Sequence, residues 1–299
     1  MNSRPVRTIA LMNQKGGVGK TTTTVNLAAA FARAGRPTLV IDLDPQAHAS
    51  LHLGVDVAGE KASGGAGTSV YEAMLDPAGD VRSHVREVRP NLGVLPSTTD
   101  LAAVEVELAA EPDRLVRLSK AIDTLGGAYE FVLIDCPPSL GLLTLNGLTA
   151  AREVLIPMQA HFLALQGVSK LLETVRMVAK ASNPRLSVLG VALCMHDPAS
   201  THVREVVADL EQFFAACRDQ ETPWRYARVL RPAIRRNIKL AECPSFGQTI
   251  FDYAPTAPGA EDYDALGRQM IREWDAMLAK REPGVVEVPA RGSASAAKS

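Results

Sequence analysis

The sequence has no long apolar run and no excess of charge of one sign, and each absence excludes a class of protein. Nowhere do eighteen apolar residues follow one another, which argues against a membrane-spanning helix. The apolar stretch near the N-terminus is too short for the core of a signal peptide. We therefore expect a cytoplasmic protein of ordinary globular composition, with 46% hydrophobic and 22% charged residues.

The charge balance and the cysteine content exclude further classes of protein. Lysine plus arginine (32) nearly balances aspartate plus glutamate (33), which gives a formal net charge of -1. This balance excludes a protein coated with basic charge, although it leaves room for a local basic patch. The four cysteines form no CxxC pair, so we predict reduced, buried thiols rather than a metal cluster.

The first 45 residues contain the clearest structural pattern. An apolar run at 8–12 is followed by a glycine-rich stretch, a helical pattern over 21–34 and a second apolar run at 38–43. A strand, a loop, a helix and a strand in this order predict a βαβ unit, and hence a parallel sheet covered by helices.

The same alternation returns along the rest of the chain. We predict strands at 131–134, 154–157 and 186–194, and helices at 169–180, 202–217 and 262–280. The predicted strands are continuously apolar, which is typical of a sheet buried on both faces. The fold class is therefore α/β: a doubly wound, mostly parallel sheet with helices on both faces.

Composition also predicts the domain limits. No compositional break occurs before about residue 280, so residues 1–280 are expected to form one domain. Residues 58–67 lack any apolar side chain larger than alanine and predict a flexible surface loop. Residues 281–299 are rich in Pro, Gly, Ala and Ser and predict a disordered tail.

Residues 13–22, NQKGGVGKTT, predict a phosphate-binding loop between the first strand and helix. Glycines let the backbone N–H groups surround a phosphate, and the helix N-terminus favours negative charge. Lys20 would neutralise the β- and γ-phosphates, and the Thr21 hydroxyl would be a ligand of Mg²⁺. The predicted phosphate-binding residues are Lys15, Gly16, Gly17, Val18, Gly19, Lys20, Thr21 and Thr22.

The segment KGGVGKTT resembles the deviant Walker A box of the ParA/MinD ATPases, a branch of the P-loop NTPases. Lys15 matches the signature lysine of that family. The resemblance implies that Lys15 reaches across an ATP-bound homodimer to phosphate on the partner's nucleotide. Together with Lys20, it is expected to take part in catalysis.

Further segments are similar to the chromosome-partition branch of this family, over most of residues 7–275. DLDPQ resembles its switch I, in which Asp44 would position the attacking water. FVLIDCPPS resembles its Walker B and switch II segment, in which Asp135 would hold Mg²⁺ through a water. Both aspartates follow apolar strands, and ligands of parallel sheets bind at the carboxyl ends of strands.

The sequence departs from the family pattern in three segments. Ala199 and Ser200 stand where relatives carry an arginine that some use towards DNA, and His161 stands where relatives often carry glutamate. The usual Ile-Pro-Arg-Asn becomes Ile-Arg-Arg-Asn, which removes the proline near the adenine. Met195, Arg236 and Asn237 are the expected nucleotide contacts beyond the phosphate loop.

Residues 225–239 contain six cations and no acid, which is a candidate DNA-backbone surface in a chain of net charge -1. A solvated basic face, or contacts to ATP itself, are the alternatives. Sequence-independent binding to DNA would depend steeply on salt. The predicted DNA-binding residues are Arg228, Arg231, Arg235, Arg236 and Lys239.

These observations predict a Mg²⁺-dependent ATPase that partitions a chromosome or plasmid over the nucleoid. The resemblance implies an ATP-bound homodimer on nonspecific DNA, with hydrolysis stimulated by a ParB-like or other cargo adaptor. Positioning of another cargo, such as a chemoreceptor cluster or carboxysome, is one alternative. A MinD-like membrane-associated role in division or flagellar placement is another, but residues 283–299 offer a poor membrane face, so no membrane partner is expected.

Overall fold

The computed structural model describes residues 5–63, 67–161 and 164–280. Within these ranges the strands are β1 (Arg7–Leu11), β2 (Thr38–Asp42), β3 (Arg86–Arg89), β4 (Leu92–Leu95), β5 (Phe131–Asp135), β6 (Glu153–Met158), β7 (Ser187–Leu193) and β8 (Arg228–Val229). They form one sheet in the order β3-β4-β2-β5-β1-β6-β7-β8. Only the β3–β4 pair in this sheet is antiparallel.

Helices cover both faces of the sheet. They are α1 (Lys20–Arg33), α2 (His48–His52), α3 (Val57–Ala62), α4 (Val70–Leu75), α5 (Val104–Glu107), α6 (Arg117–Thr124), α7 (Leu142–Ala150), α8 (Ala164–Ala181), α9 (Thr201–Ala216), α10 (Lys239–Glu242), α11 (Ile250–Tyr253) and α12 (Pro258–Ala279). Two hydrophobic clusters lie on opposite faces: Ile9 and Leu11 belong to one, Ala10 and Met12 to the other. The predicted doubly wound architecture is therefore confirmed.

Helix α1 is held firmly between the sheet and α12. Residues 23–32 of α1 are all buried, which explains the run of alanines in this helix. At Gly267 of α12 a Cβ atom would lie 2.8 Å from the Cβ of Ala30, so the close approach of the two helices needs a glycine there. This packing fixes the start of α1, where the phosphate loop ends.

The structure differs from the predictions at short elements. Strands β3, β4 and β8 were not predicted, because runs of two to four residues carry little periodicity. The predicted loop 58–67 was wrong over 58–62, which lie in α3; the Asp56 carboxylate caps this helix by accepting the Gly59 N–H at 3.0 Å. Residues 64–66 and the predicted tail 281–299 lie outside the described residues.

The carboxyl edge of the sheet gathers the predicted site. Strand β1 lies between β5 and β6, so the loop that follows it opens at the centre of this edge. In the strand register Asp135 is opposite both Leu11 and Asp42. Among the described residues, no helix is long and apolar enough to cross a membrane.

Candidate functional site

The phosphate loop is anchored to the sheet by Asn13. Its side-chain Nδ2 donates a hydrogen bond to the Pro157 carbonyl at 2.8 Å, and its Oδ1 accepts one from the Lys15 N–H at 3.0 Å. Gly17 and Gly19 then adopt φ angles of 72° and 91°, which favour glycine over any residue with a side chain. The sequence therefore folds into a turn that leads directly into the N-terminus of α1.

Asp135 collects the polar groups of the first turns of α1. Thr21 Oγ1 donates to Asp135 Oδ2 at 2.7 Å, and Thr24 Oγ1 donates to Oδ1 at 2.9 Å. Lys20 Nζ lies 3.8 Å from Oδ1. Asp135 is fully buried, and this burial raises its pKa, although the Lys20 charge and the two hydroxyls act in the opposite direction.

Asp42 is a second buried carboxylate beside Asp135. Its Oδ2 accepts hydrogen bonds from the N–H and the hydroxyl of Ser50, both at 2.8 Å, and its Oδ1 accepts one from the Asp44 N–H at 3.1 Å. Burial, reinforced by the nearby Asp135 charge, raises the Asp42 pKa to about 7. Sequence reasoning placed no role on Asp42; the structure shows that it fixes the turn carrying Asp44.

This cluster fits a magnesium ion. The predicted ligands Thr21 and Asp135 lie together and offer the oxygen atoms that Mg²⁺ prefers. Burial raises the pKa values of Asp42 and Asp135, and a divalent cation would offset this effect by stabilising their ionised forms. Thr21 and Asp135 would therefore hold the ion, Asp135 through a water.

The predicted catalytic residues Lys15, Lys20 and Asp44 line one cavity of about 660 Å³. Asp44 is only 8% exposed, and its Oδ1 accepts a hydrogen bond from the Gln46 N–H at 3.0 Å. Except for Val18, which is buried outside the cavity, the predicted phosphate-loop residues line it as well. Seven further residues line this cavity and were not predicted as site residues, namely Gln46, His48, Leu51, His52, Pro138, Pro244 and Ser245.

A second cavity of about 410 Å³ adjoins the first and shares Gly17, Gly19 and Thr22 with it. The predicted contacts Met195, Arg236 and Asn237 line it. Asn237 Oδ1 accepts the Lys239 N–H at 2.9 Å, while its Nδ2 is buried and has no hydrogen-bond partner among the described residues. A free amide donor of this kind suits the nitrogen acceptors of a base.

Lys15 also makes a contact that the sequence does not predict. Its Nζ lies 2.8 Å from Nε2 of His161, in the loop after β6. Burial, and then the Lys15 charge, lower the pKa of His161. The only sequence signal was that His161 departs from the family pattern.

The predicted DNA-binding cations differ in their surroundings. Four of the five cations form ion pairs with acids. Arg228 pairs with Glu273, Arg231 with Glu211, Arg235 with Glu261 and Asp262, and Lys239 with Glu242. Arg236 is exposed and makes no ion pair within the described ranges. The structure therefore does not present these five residues as one free basic surface.

Comparison with known proteins identifies the family. A family model described as an AAA domain matches residues 6–188. The chain is 42% identical over 268 residues to a chromosome partitioning protein ParA of Myxococcus xanthus, covering 89% of this chain and 88% of that protein. The chain belongs to the ParA family of the ParA/MinD ATPases. A second ParA-family relative is the sporulation initiation inhibitor protein Soj of Bacillus subtilis, 40% identical over 262 residues, which cover 88% of this chain and 97% of Soj.

Solved structures agree with the ParA/MinD fold. One is the structure of cobyrinic acid a,c-diamide synthase of Mycobacterium smegmatis with bound ADP and magnesium. It has a TM-score of 0.75 and 33% sequence identity, and the match covers 91% of this chain and 97% of that chain. The septum site-determining protein MinD of Pyrococcus horikoshii, complexed with Mg-ADP, has a TM-score of 0.67 and 22% identity, with 94% and 100% covered. The second likeness concerns the fold alone.

Proposed function

We propose that this ParA-family chain is a Mg²⁺-dependent ATPase that acts as a DNA-partition switch. The observation that carries the proposal is the different setting of the two loop lysines. Lys20 is turned towards Asp135 inside the chain, whereas Lys15 is exposed at the mouth of the same cavity. One lysine can therefore serve the chain's own nucleotide while the other serves a partner's nucleotide.

The triphosphate would occupy the 660 Å³ cavity, and the adenine would occupy the adjoining one. Backbone N–H groups of the loop and Lys20 bind the phosphates, as helix N-termini and lysines do in P-loop proteins. Thr21 and Asp135 would hold magnesium, which would supply positive charge against the phosphate oxygens. Asp44 orients the water that attacks the γ-phosphate, because its carboxylate is held at the cavity wall by the turn that Asp42 fixes.

Two such chains would enclose two nucleotides in a symmetric dimer. Charge-assisted contacts contribute roughly 1.5–3 kcal/mol each. Two symmetry-related Lys15 contacts would then contribute roughly 3–6 kcal/mol, which is about 10²- to 10⁴-fold in the dimer dissociation constant.

The ATP-bound dimer would bind DNA without sequence preference and associate with the nucleoid. Arg236 is the cation best placed to contribute, because it is exposed and is not paired with an acid in the described part of the chain. It also lines the proposed base cavity, so nucleotide binding and DNA binding would meet at this residue. Hydrolysis, stimulated by a ParB-like or other cargo adaptor, would end the DNA-bound state.

The names of the relatives support the chromosome as the cargo. A plasmid or a protein assembly is the alternative cargo for the same ATPase chemistry. The similarity to the cobyrinic acid a,c-diamide synthase of Mycobacterium smegmatis raises the alternative of a metabolic enzyme. Such an enzyme needs a second substrate beside the nucleotide. The cleft of about 1030 Å³ at the amino edge of the sheet cannot supply that second site, because the length of a strand lies between it and the phosphate loop.

The deciding experiment is the oligomeric state measured by light scattering with magnesium and a non-hydrolysable ATP analogue. We expect wild type to dimerise with the analogue but not with ADP. Lys15→Ala should bind the analogue and stay monomeric, whereas Lys20→Ala should lose binding and dimerisation together. A wild-type protein that stays monomeric at high concentration would contradict the proposal. Co-sedimentation with DNA or with liposomes, each with ATP, separates the MinD-like alternative.

A further inference from the structure

A large cleft lies at the amino edge of the sheet, opposite the nucleotide site. Its walls include the first residues of three strands, Arg7 of β1, Glu153 of β6 and Ser187 of β7, and its volume is about 1030 Å³. Strand β1 has five residues, so roughly 15 Å of sheet separates the cleft from the phosphate loop. No part of the proposed ATPase chemistry uses this cleft.

The cleft concentrates positive charge. Seven cations and three carboxylates line it, in a chain whose net charge is -1. Arg7 and Arg228 are paired with Glu153 and Glu273. Four exposed cations make no ion pair within the part of the chain that the structure describes, namely Arg176, Lys180, Arg185 and Arg225. The positive charge of the cleft is therefore only partly neutralised by the protein itself.

The lining also contains unused hydrogen-bond donors. Trp274 is 1% exposed, and its indole Nε1 has no partner among the described residues. The Thr222 hydroxyl oxygen is likewise buried without a partner there. The guanidinium groups of Arg7 and Arg152 both lie 5.6 Å from the Trp274 ring centroid, which places cations around the same side chain. Buried donors without partners are costly, so the polar groups in this wall of the cleft are incompletely satisfied by the described residues.

We propose that this cleft binds a small anion carrying several phosphates, at a site separate from that of ATP. Its volume suits a small ligand, and a concave site with a buried tryptophan is out of reach of the convex surface of a DNA duplex. At the rim, Tyr226 is 73% exposed and the Arg225 guanidinium lies 4.6 Å from its ring. The phosphates could belong to an inorganic chain or to a nucleotide whose base stacks on Tyr226.

Tryptophan fluorescence tests the proposal directly. The chain has two tryptophans: Trp274 lines the cleft, and Trp224 lies within the 221–226 segment that forms one wall. The full chain is saturated with ADP at the nucleotide site and titrated with inorganic tripolyphosphate, and then, separately, with GTP. We expect a saturable change with tripolyphosphate. Tighter GTP binding that Tyr226→Ala reduces to the tripolyphosphate level supports a nucleotide ligand, and equal affinities support an inorganic one.

Charge-reversal variants locate the site. Lys180 and Arg225 lie in different walls of the cleft. Lys180→Glu and Arg225→Glu should each weaken tripolyphosphate binding by about tenfold or more. Arg218→Glu is the matched control, because Arg218 is an exposed cation outside the cleft and its effect should stay within about twofold. Retained ADP binding in all three variants shows that they fold.

Three results would overturn the proposal. The first is no saturable signal with tripolyphosphate. The second is an equal loss in Arg225→Glu and Arg218→Glu, which would indicate general electrostatics. The third is a loss of DNA affinity in Arg225→Glu with unchanged tripolyphosphate binding, which would assign the cleft to the DNA surface.

Discussion

Lys15 Nζ and His161 Nε2 lie 2.8 Å apart and join the phosphate loop to the loop after β6. An ammonium group can only donate, so the imidazole nitrogen accepts and His161 is neutral in this contact. The lysine assigned to the partner's phosphates is therefore held by its own chain in this structure. The proposed dimer would exchange this contact for one between Lys15 and phosphate.

This contact predicts a coupled titration. Burial and the Lys15 charge both lower the His161 pKa, and His202 adds a smaller effect in the same direction. Lys15→Gln should raise the pKa of His161 towards 6.5, but not fully, because burial remains. Histidine ring ¹H-¹⁵N spectra recorded from pH 5 to 8 measure this shift, with His84, which lies outside the cavity that Lys15 lines, as the internal control. An unchanged His161 pKa would show that the contact does not form in solution.

Asp44 should be needed for hydrolysis but not for assembly. Asp44→Ala is expected to keep ATP-dependent dimers and DNA binding, because its one described side-chain hydrogen bond is to the Gln46 N–H within the same turn. Phosphate release should fall by about 10²-fold or more. Asp44→Asn is the control, since it keeps the acceptor oxygen and loses the charge. Normal turnover in Asp44→Ala would remove the residue from the proposed role.

Arg236 and the neighbouring Arg235 should separate DNA binding from stability. Arg236→Glu is expected to weaken ATP-dependent DNA binding while the fold stays intact. The slope of log affinity against log salt concentration should become shallower by about one unit or more for each Arg236 replaced. Arg235→Glu should instead lower the thermal midpoint, because it breaks contacts to Glu261 and to the buried Asp262. Unchanged DNA affinity and salt slope in Arg236→Glu would exclude Arg236 from the DNA surface.

His52 predicts a loss of stability in mild acid. It is buried beside the Cys243 thiol, and burial lowers its pKa from 6.5 to about 4. Between these values the unfolded chain binds a proton that the folded chain does not, so stability falls as the pH falls. From pH 7.5 to 5 this group should cost about 2 kcal/mol.

Urea unfolding at both pH values measures this cost as the difference between wild type and His52→Gln, because other titrating groups are common to the two proteins. His48→Gln, at an exposed position, is the control and should behave as wild type. The same acid loss in His52→Gln and wild type would contradict the assignment.

The chemistry of the site was predictable because its signals are local. Gly17 and Gly19 belong to one glycine-rich segment, Asp135 is the last residue of β5, and Asp44 lies two positions after β2. Parallel strands place their carboxyl ends on one edge, so local order was enough to bring these residues together. Strand β8 escaped prediction because it has two residues and depends on its pairing with β7.

By itself, the sequence determined the α/β fold, the phosphate loop and the two aspartates, since each rests on neighbouring residues whose backbone preferences and periodicity act over a few positions. Only the tertiary structure decided which cations are free. Arg235 meets Asp262 across 27 positions, Lys15 meets His161 across 146, and the amino-edge cleft gathers residues from both ends of the chain. Charge is neutralised through space, and residue spacing along the chain does not encode the distance between such groups.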